Sequence, residues 1–337
     1  MRRYFGRFVF VLFVSICVIG LLISPVLSQQ KQKDAQGNAQ QKSQDDEQIP
    51  RLGVTEVFVP VTVVDKRGRF VYELKQEDFE VYEDKKLQEI KRFEARLEKP
   101  IHLAVLMDTS ASVRPKLKFE KEAAISFIQT VLKTRKDKVL FATFDSAVEL
   151  RQDFTDSVEA LSKAIEQVRA GGDTRLYDAV YRVCEEKMGL DKDKRYAMII
   201  ISDGADTASE RTLQEAIDIA LQKEVLIYGI STKAGGFFGV GGGQVQNEED
   251  KELRRLCEDT GGEVFFPGQV MELERAFRDV RQIMANQYGI WYEPKSKLDG
   301  KFHRIEVKLV GSGYKEKLEV RAKKGYIAVP SGRAATE

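Results

Sequence analysis

The sequence predicts an α/β domain with a doubly wound, mostly parallel sheet, inserted in a β-sandwich-like domain built from both of its flanks. Three observations carry this. Between residues 100 and 286, short continuous apolar runs alternate with stretches of helical spacing, the pattern of a parallel sheet covered on both faces. Before it (54–98) and after it (287–330), apolar and polar residues alternate at period two, as in half-buried antiparallel strands. Neither flank is comfortable alone, because a meander of three or four short strands has exposed edges and little core. The ends of an inserted domain usually lie close together, so the two flanks are expected to meet and pair into roughly seven strands, a common count for sandwiches.

The chain opens MRRYFGRFVFVLFVSICVIGLLISPVLSQQ. Arg2, Arg3 and Arg7 precede an apolar stretch from Phe8 to Ile23, followed by Pro25 and Val26-Leu27-Ser28. This reads as a secretory signal peptide, residues 1–28, cut after Ser28; the rival is an uncleaved membrane anchor, since the run is long for a signal. The bulky Ile16 before Cys17 counts against a lipoprotein signal. The expected destination is therefore the periplasm, the cell surface or the medium, with membrane contact only through this segment if it is retained. Residues 29–53 are Gln, Lys and Asp with almost nothing apolar, the composition of a disordered linker.

In the N-terminal flank, Val57, Val59, Val61 and Val63 share one face, Asp65-Lys66-Arg67-Gly68 is a turn, and strands follow at 79–82 and 90–93. IHLAVLM (101–107) then opens the α/β domain as a buried strand. Helices are expected at 116–133, 157–169, 176–188, 211–222, 249–259 and 270–285, and strands at 139–144, near Val148, and at 197–202, 225–230 and 263–266. GGFFGVGGG (235–243) reads as a surface insertion without the Gly-Lys-Ser/Thr ending of a phosphate loop. QYGIWYEP, FHRIEVKLV and KLEVRAKKGYIAV supply three strands of the C-terminal flank, with Ile305, Val307 and Leu309 on one face.

Hydrophobic residues make up 42% of the 337, and 54 Lys and Arg face 53 Asp and Glu for a net charge of +1. A near-neutral body excludes bulk nucleic-acid binding, which needs a basic patch or stripe. Cys184 and Cys257 fall inside helical patterns and read as buried free thiols; the alternative is a disulfide formed on export, but two cysteines do not make a framework. His102 and His303, the two histidines, have no evident partner in the sequence and read as structural.

Ligands of an open α/β sheet bind at the carboxyl ends of the strands. There the sequence places Asp108-Thr109-Ser110-Ala111-Ser112 after the first strand, Gly171-Gly172-Asp173-Thr174 before a helix, and Ser202-Asp203-Gly204 after a central strand. All are rich in hard oxygen donors and none brings Cys or His, a set that selects Mg²⁺, Mn²⁺ or Ca²⁺ over zinc. Each loop alone reads equally as a helix cap or a turn; together on one rim they point to a cation. Asp145, Asp173, Asp178 and Asp206 lie near; the rival reading puts them behind the ligands, but they are read as capping or solvated.

Asp-x-Ser-x-Ser at 108–112, Gly-Gly-x-Thr at 171–174 before Leu176-Tyr177-Asp178, and Ser-Asp-Gly at 202–204 resemble the von Willebrand factor type A (VWA) domain, a Rossmann-like fold. The resemblance implies a metal-ion-dependent adhesion site at Asp108, Ser110, Ser112, Thr174 and Asp203. It implies that the hydroxyls coordinate directly, the aspartates directly or through water, and that a partner's carboxylate completes the shell. The flanks, VTVVDKRGRFVYELKQEDFEVYEDKKLQEIKRFEA and YEPKSKLDGKFHRIEVKL with KKGYIA, resemble exported bacterial proteins of the VWFA-related type, frequent in acidobacteria.

The leading expectation is thus an exported, non-enzymatic module that captures a protein partner offering an acidic residue, with Mg²⁺ (or Mn²⁺ or Ca²⁺) as cofactor. The alternative is a structural cell-envelope protein in which the cation only stabilises the fold. A metal-dependent hydrolase ranks below both: the chain has no His-Glu-x-x-His, Gly-x-Ser-x-Gly or Cys–His pair, and no base in these loops besides the aspartates.

Overall fold

The computed structural model describes residues 56–132, 136–189, 191, 193–203, 206–233, 248–267, 270–296, 299–311 and 318–328. The expected signal peptide, the linker at 29–53, Cys17 and the glycine-rich insertion at 235–243 lie outside the described residues. Among the described residues no helix is long and apolar enough to cross a membrane.

The central sheet has six strands. β5 (Ile101–Asp108), β6 (Lys138–Phe144), β8 (Arg195–Ser202), β9 (Val225–Ser231) and the two-residue β10 (Val264–Phe265) run parallel, and β7 (Val148–Thr155) closes one edge antiparallel. Their apolar runs are continuous because both faces are covered. Leu103, Val105 and Met107 of β5 share a cluster with Ile199, Ile201, Tyr228 and Ile230, under α1 (Leu117–Val131), α2 (Val158–Glu166) and α6 (Val270–Ala285). Ala104 and Leu106, one residue out of phase, join Met198, Ile200 and Ile227 under α3 (Leu176–Lys187), α4 (Leu213–Gln222) and α5 (Glu248–Thr260). Cys184 and Cys257 are buried free thiols in that second cluster, and burial raises the pKa of both.

The strand order β10-β9-β8-β5-β6-β7 puts the topological switch between β5 and β8. From β5 the chain leaves to one side, and it returns to β8 on the other. In such a fold the crevice at the carboxyl ends of these two strands is the natural ligand position. Asp108 ends one strand, and Ser202 with Asp203 ends the other.

The flanks form two four-stranded sheets, and each sheet takes two strands from each flank. β1 (Val57–Asp65) pairs antiparallel with β11 (Tyr288–Tyr292) and with β13 (Leu318–Ala322), and β4 (Ile90–Glu94) pairs with β11. In the other sheet β2 (Phe79–Glu83) pairs with β3 (Lys86–Gln88) and β12 (Phe302–Leu309), and β12 with β14 (Gly325–Ile327). Val57, Val59, Val61 and Val63 share one hydrophobic cluster with Val81, Tyr288, Ile290, Ile305 and Leu309, so the period-two faces read from the sequence meet across both sheets. Among the described residues the count is eight strands rather than roughly seven, because KLEVRAKKGYIAV is not one strand. The chain leaves one sheet at Ala322 and enters the other at Gly325.

This crossing rests on the end of α5. Lys324 N donates to Asp259 O (3.2 Å), and the Lys324 ammonium pairs with Asp259 at 2.9 Å. Gly261 has φ +93°, and a Cβ there would stand 2.7 Å from Lys323 N, so glycine is needed for both the left-handed backbone and the close approach.

Candidate metal centre

The rim is built from three loops joined through their backbones. Asp108 is fully buried at the end of β5. Its Oδ1 accepts from Ser110 N (2.8 Å) and its Oδ2 from Ser202 Oγ (2.8 Å). Ser110 Oγ and Ser112 Oγ lie 2.9 Å apart; Ser110 is buried and Ser112 exposed, so the hydroxyl pair runs from the interior to the surface. The Thr174 loop lies against this one: Gly171 N donates to Thr109 O (2.7 Å) and Ala111 N to Gly172 O (3.1 Å). Gly172 has φ +89°, and a Cβ there would meet Ser146 Oγ at 2.7 Å. Thr174 is buried, takes a hydrogen bond from Thr207 at its carbonyl (2.9 Å), and donates its N–H to Thr207 Oγ1 (3.0 Å). The five residues singled out in the sequence therefore stand on three adjoining loops at the switch point.

Asp203 supplies the telling detail. Its Oδ1 is buried with no hydrogen-bond partner among the described residues, a costly state for a carboxylate oxygen unless something else satisfies it. Asp108 is strained in the same sense. Burial pushes its carboxyl up to about 6, the Asp203 charge adds to this, and the bonds from Ser110 and Ser202 work against it. Two neighbouring carboxylates, one desolvated and one with an orphaned oxygen, form an electronegative pocket whose remaining donors are hydroxyls. That set fits a hard divalent cation.

The nearby aspartates are occupied in other ways. Asp206 Oδ1 accepts from Leu176 N (2.8 Å) and Tyr177 N (3.3 Å), capping α3 from across the loop. Asp178 holds the backbone N–H groups of Glu210 (3.1 Å) and Arg211 (2.9 Å). Asp145 accepts from Thr109 Oγ1 (3.0 Å) and Ala147 N (3.1 Å), and Asp173 Oδ2 accepts from Ser146 Oγ (3.4 Å).

Sequence reasoning missed what lies behind the rim. Lys116 and Glu120, at the start of α1, are 2% and 0% exposed. The Lys116 ammonium donates to Thr232 O, while both Glu120 carboxylate oxygens, Ser231 Oγ and Thr232 Oγ1 are buried without a hydrogen-bond partner among the described residues. Burial pushes Glu120 up to about 7, with Asp108 and Asp203 adding to the shift. Thr232 and Lys116 oppose it, Thr232 lying close enough to favour the ionised form without completing a hydrogen bond. A signal for Glu120 was present: it precedes Ala123, Ala124, Phe127, Ile128 and Val131 at spacings that put it on the buried stripe of α1.

A second polar cluster sits in the sandwich, and it corrects the reading that His303 has no partner. His303 Nδ1 lies 2.8 Å from Asp84 Oδ2, and Nε2 lies 3.3 Å from Asp299 Oδ1. Glu83, Asp84 and His303 are the group of three or more His, Cys, Asp or Glu whose donor atoms converge among the described residues. Here, though, every member has a protein partner. Buried Glu83 accepts from Tyr292 OH (2.7 Å), Tyr326 OH (3.2 Å) and Ser296 Oγ, and Asp84 Oδ1 accepts from Arg304 N (3.0 Å). His102 packs against Phe154 and Tyr196, ring centroids 4.8 and 5.8 Å away, as a structural residue does.

Residues 103–205 match the family model of the von Willebrand factor type A domain. The matched stretch contains Asp108, Ser110, Ser112, Thr174 and Asp203. The α/β fold itself continues past it, through β9 and β10 to the end of α6 at Ala285. Solved structures similar to this chain include proximal thread matrix protein 1 from the mussel byssus (18% identity, TM-score 0.43), where the likeness spans 56% of this chain and 48% of the mussel protein. BatB from Bacteroides thetaiotaomicron aligns at 15% identity and TM-score 0.42 over 54% of this chain and 98% of its own. The vWF domain of the type V pili tip protein Mfa5 from Porphyromonas gingivalis aligns at 11% identity and TM-score 0.44, over 55% and 95%. No curated protein matches the chain.

Proposed function

We propose that this is an exported, non-enzymatic binding module of the VWA type. It captures a protein partner through a divalent cation, Mg²⁺ or Mn²⁺ in first place, held by Asp108, Ser110, Ser112, Thr174 and Asp203. The observation that carries this is the buried Asp203 Oδ1, without a hydrogen-bond partner among the described residues, beside buried Asp108 at the switch point of the sheet. A bound cation would supply a Lewis-acidic position that a partner's Glu or Asp carboxylate completes. The chain's own work is positional. Ser202 and the Ser110 N–H fix the Asp108 carboxylate, the Gly171-Gly172 backbone brings Thr174 to the Ser110 loop, and exposed Ser112 marks the open side.

The alternative role, a cation that only stabilises an envelope protein, uses the same ligands and differs in what the open side does. A pull-down from envelope extract, with and without chelator, separates the two. Capture that is lost in chelator and weakened in Thr174→Ala supports the binding module; equal capture in excess chelator contradicts it. Stabilisation by cation with no cation-dependent capture leaves the structural role.

A further inference from the structure

Lys116 and Glu120 belong to none of the roles assigned so far, yet Lys116 is joined to Asp108 by hydrogen bonds, and Glu120 feels the charges of Asp108 and Asp203. The Lys116 ammonium donates to Thr232 O, Thr232 N donates to Ser202 O (2.8 Å), and Ser202 Oγ donates to Asp108 Oδ2 (2.8 Å). The circuit runs from α1 across the ends of β9 and β8 to the carboxylate that ends β5. Electrostatically the contact is shorter still: burial lowers the Lys116 pKa, and the charges of Glu120, Asp203 and Asp108 hold it up. Burying such a pair is poor value for stability, since apolar residues of similar volume generally do as well or better. The two charges have a more direct consequence for whatever sits between Asp108 and Asp203.

We infer that Lys116 and Glu120 are a built-in charge pair that sets the cation affinity of the site, the ammonium weakening divalent binding and the carboxylate strengthening it. Before a cation arrives, Lys116 offsets the repulsion between Asp108 and Asp203 and keeps the empty rim folded. When a divalent ion enters, the same ammonium repels it, so the ion is held less tightly than the ligands alone would hold it. Glu120, buried in the first turn of α1 that Lys116 begins, tempers that repulsion. Lys116 and Glu120 are thus positioning and tuning residues, not ligands. The inference rests on the cation reading above.

Opposite charges must give opposite signs, and this separates tuning from simple support of the fold, whose loss would weaken binding in every variant. In titration calorimetry of Mn²⁺ into the full chain, Lys116→Met should tighten binding about tenfold and Glu120→Gln should weaken it by a similar factor, the scale of charges interacting in a water-poor interior. The double variant should return near the wild type. Lys116→Gln retains a donor for the Thr232 carbonyl without the charge, and it should tighten binding as Lys116→Met does. Shifts of the same sign in Lys116→Gln and Glu120→Gln, or shifts under about twofold in both while the wild type binds normally, overturn the charge-pair inference alone. A wild type that takes up no Mn²⁺ overturns the cation reading, and the inference with it.

Discussion

Among the described residues, two buried polar clusters are finished differently. In the sandwich, Glu83 is enclosed by Tyr292, Tyr326 and Ser296, and both His303 nitrogens face carboxylates. At the rim of the α/β sheet, Asp203 Oδ1, both Glu120 oxygens, Ser231 Oγ and Thr232 Oγ1 have no such partner among the described residues. Buried polar groups are almost always paired. A cluster whose groups pair with one another ties the fold together, whereas one with orphans is completed by something from outside. Apparent convergence of ligand-type atoms is therefore the weaker guide. The sandwich cluster satisfies that criterion, yet it is the rim, with two carboxylates and hydroxyls, that we propose for the cation.

The sharpest way to break the comparison is to cut the chain. A chain ending at residue 286 loses β11–β14, which removes both partners of β1 and the β12 partner of β2. Residues 56–98 should then become protease-sensitive and exchange amide hydrogens quickly, while the α/β sheet stays protected. Continued protection of 56–98 would mean that the N-terminal flank folds without its partner.

Glu83→Ala comes next. It leaves three buried or partly buried hydroxyls without their acceptor, and a loss of about 3 kcal/mol is expected in denaturant unfolding of the sandwich. An effect under about 1 kcal/mol would show that the cluster does not tie the fold.

His303 carries the pH dependence. Burial disfavours its charged form, but the bonds to Asp84 and Asp299 and the charge of Glu83 outweigh this, and its pKa is raised. Because the folded value lies above the unfolded one, this stabilisation is complete below the ordinary histidine value near 6.5 and is lost as pH rises through the raised native value. Asp84 and Asp299 are lowered, so their share is present above the ordinary carboxylate range and lost as pH falls through their native values. His303→Gln should flatten the decline on the alkaline side; an unchanged pH profile of unfolding would remove the histidine from the account. The smallest effect is expected from Thr174→Ala, a few-fold weaker cation uptake by calorimetry with little change in melting temperature without cation, as befits one neutral ligand among five.

The contrast also explains what the sequence made legible. β5, β8 and β9 announce themselves because a strand buried on both faces must be apolar throughout, and Asp108, Ser110, Ser112, Thr174 and Asp203 sit in short local motifs beside them. The pairing of the flanks was legible from edges left open and from two period-two valine and isoleucine faces. The crossing at Lys323-Lys324 was not, since nothing local separates one long alternating strand from two short ones in different sheets. Nor was the bond between His303 and Asp84, 219 residues apart. Lys116 and Thr232 are likewise joined only by tertiary packing, although Glu120 on an otherwise apolar helical stripe marked that region as unusual.

The central claim is that the orphaned rim takes a divalent cation. Its most direct test is thermal unfolding of the intact chain in chelator and in Mg²⁺ or Mn²⁺, beside Asp108→Ala, with calorimetry to count uptake. The wild type should bind one ion at the site and gain about 2.7 kcal/mol at a hundredfold excess over Kd. Asp108→Ala should fold, bind none there and gain nothing. No uptake by the wild type, or the same gain in Asp108→Ala, would contradict the assignment.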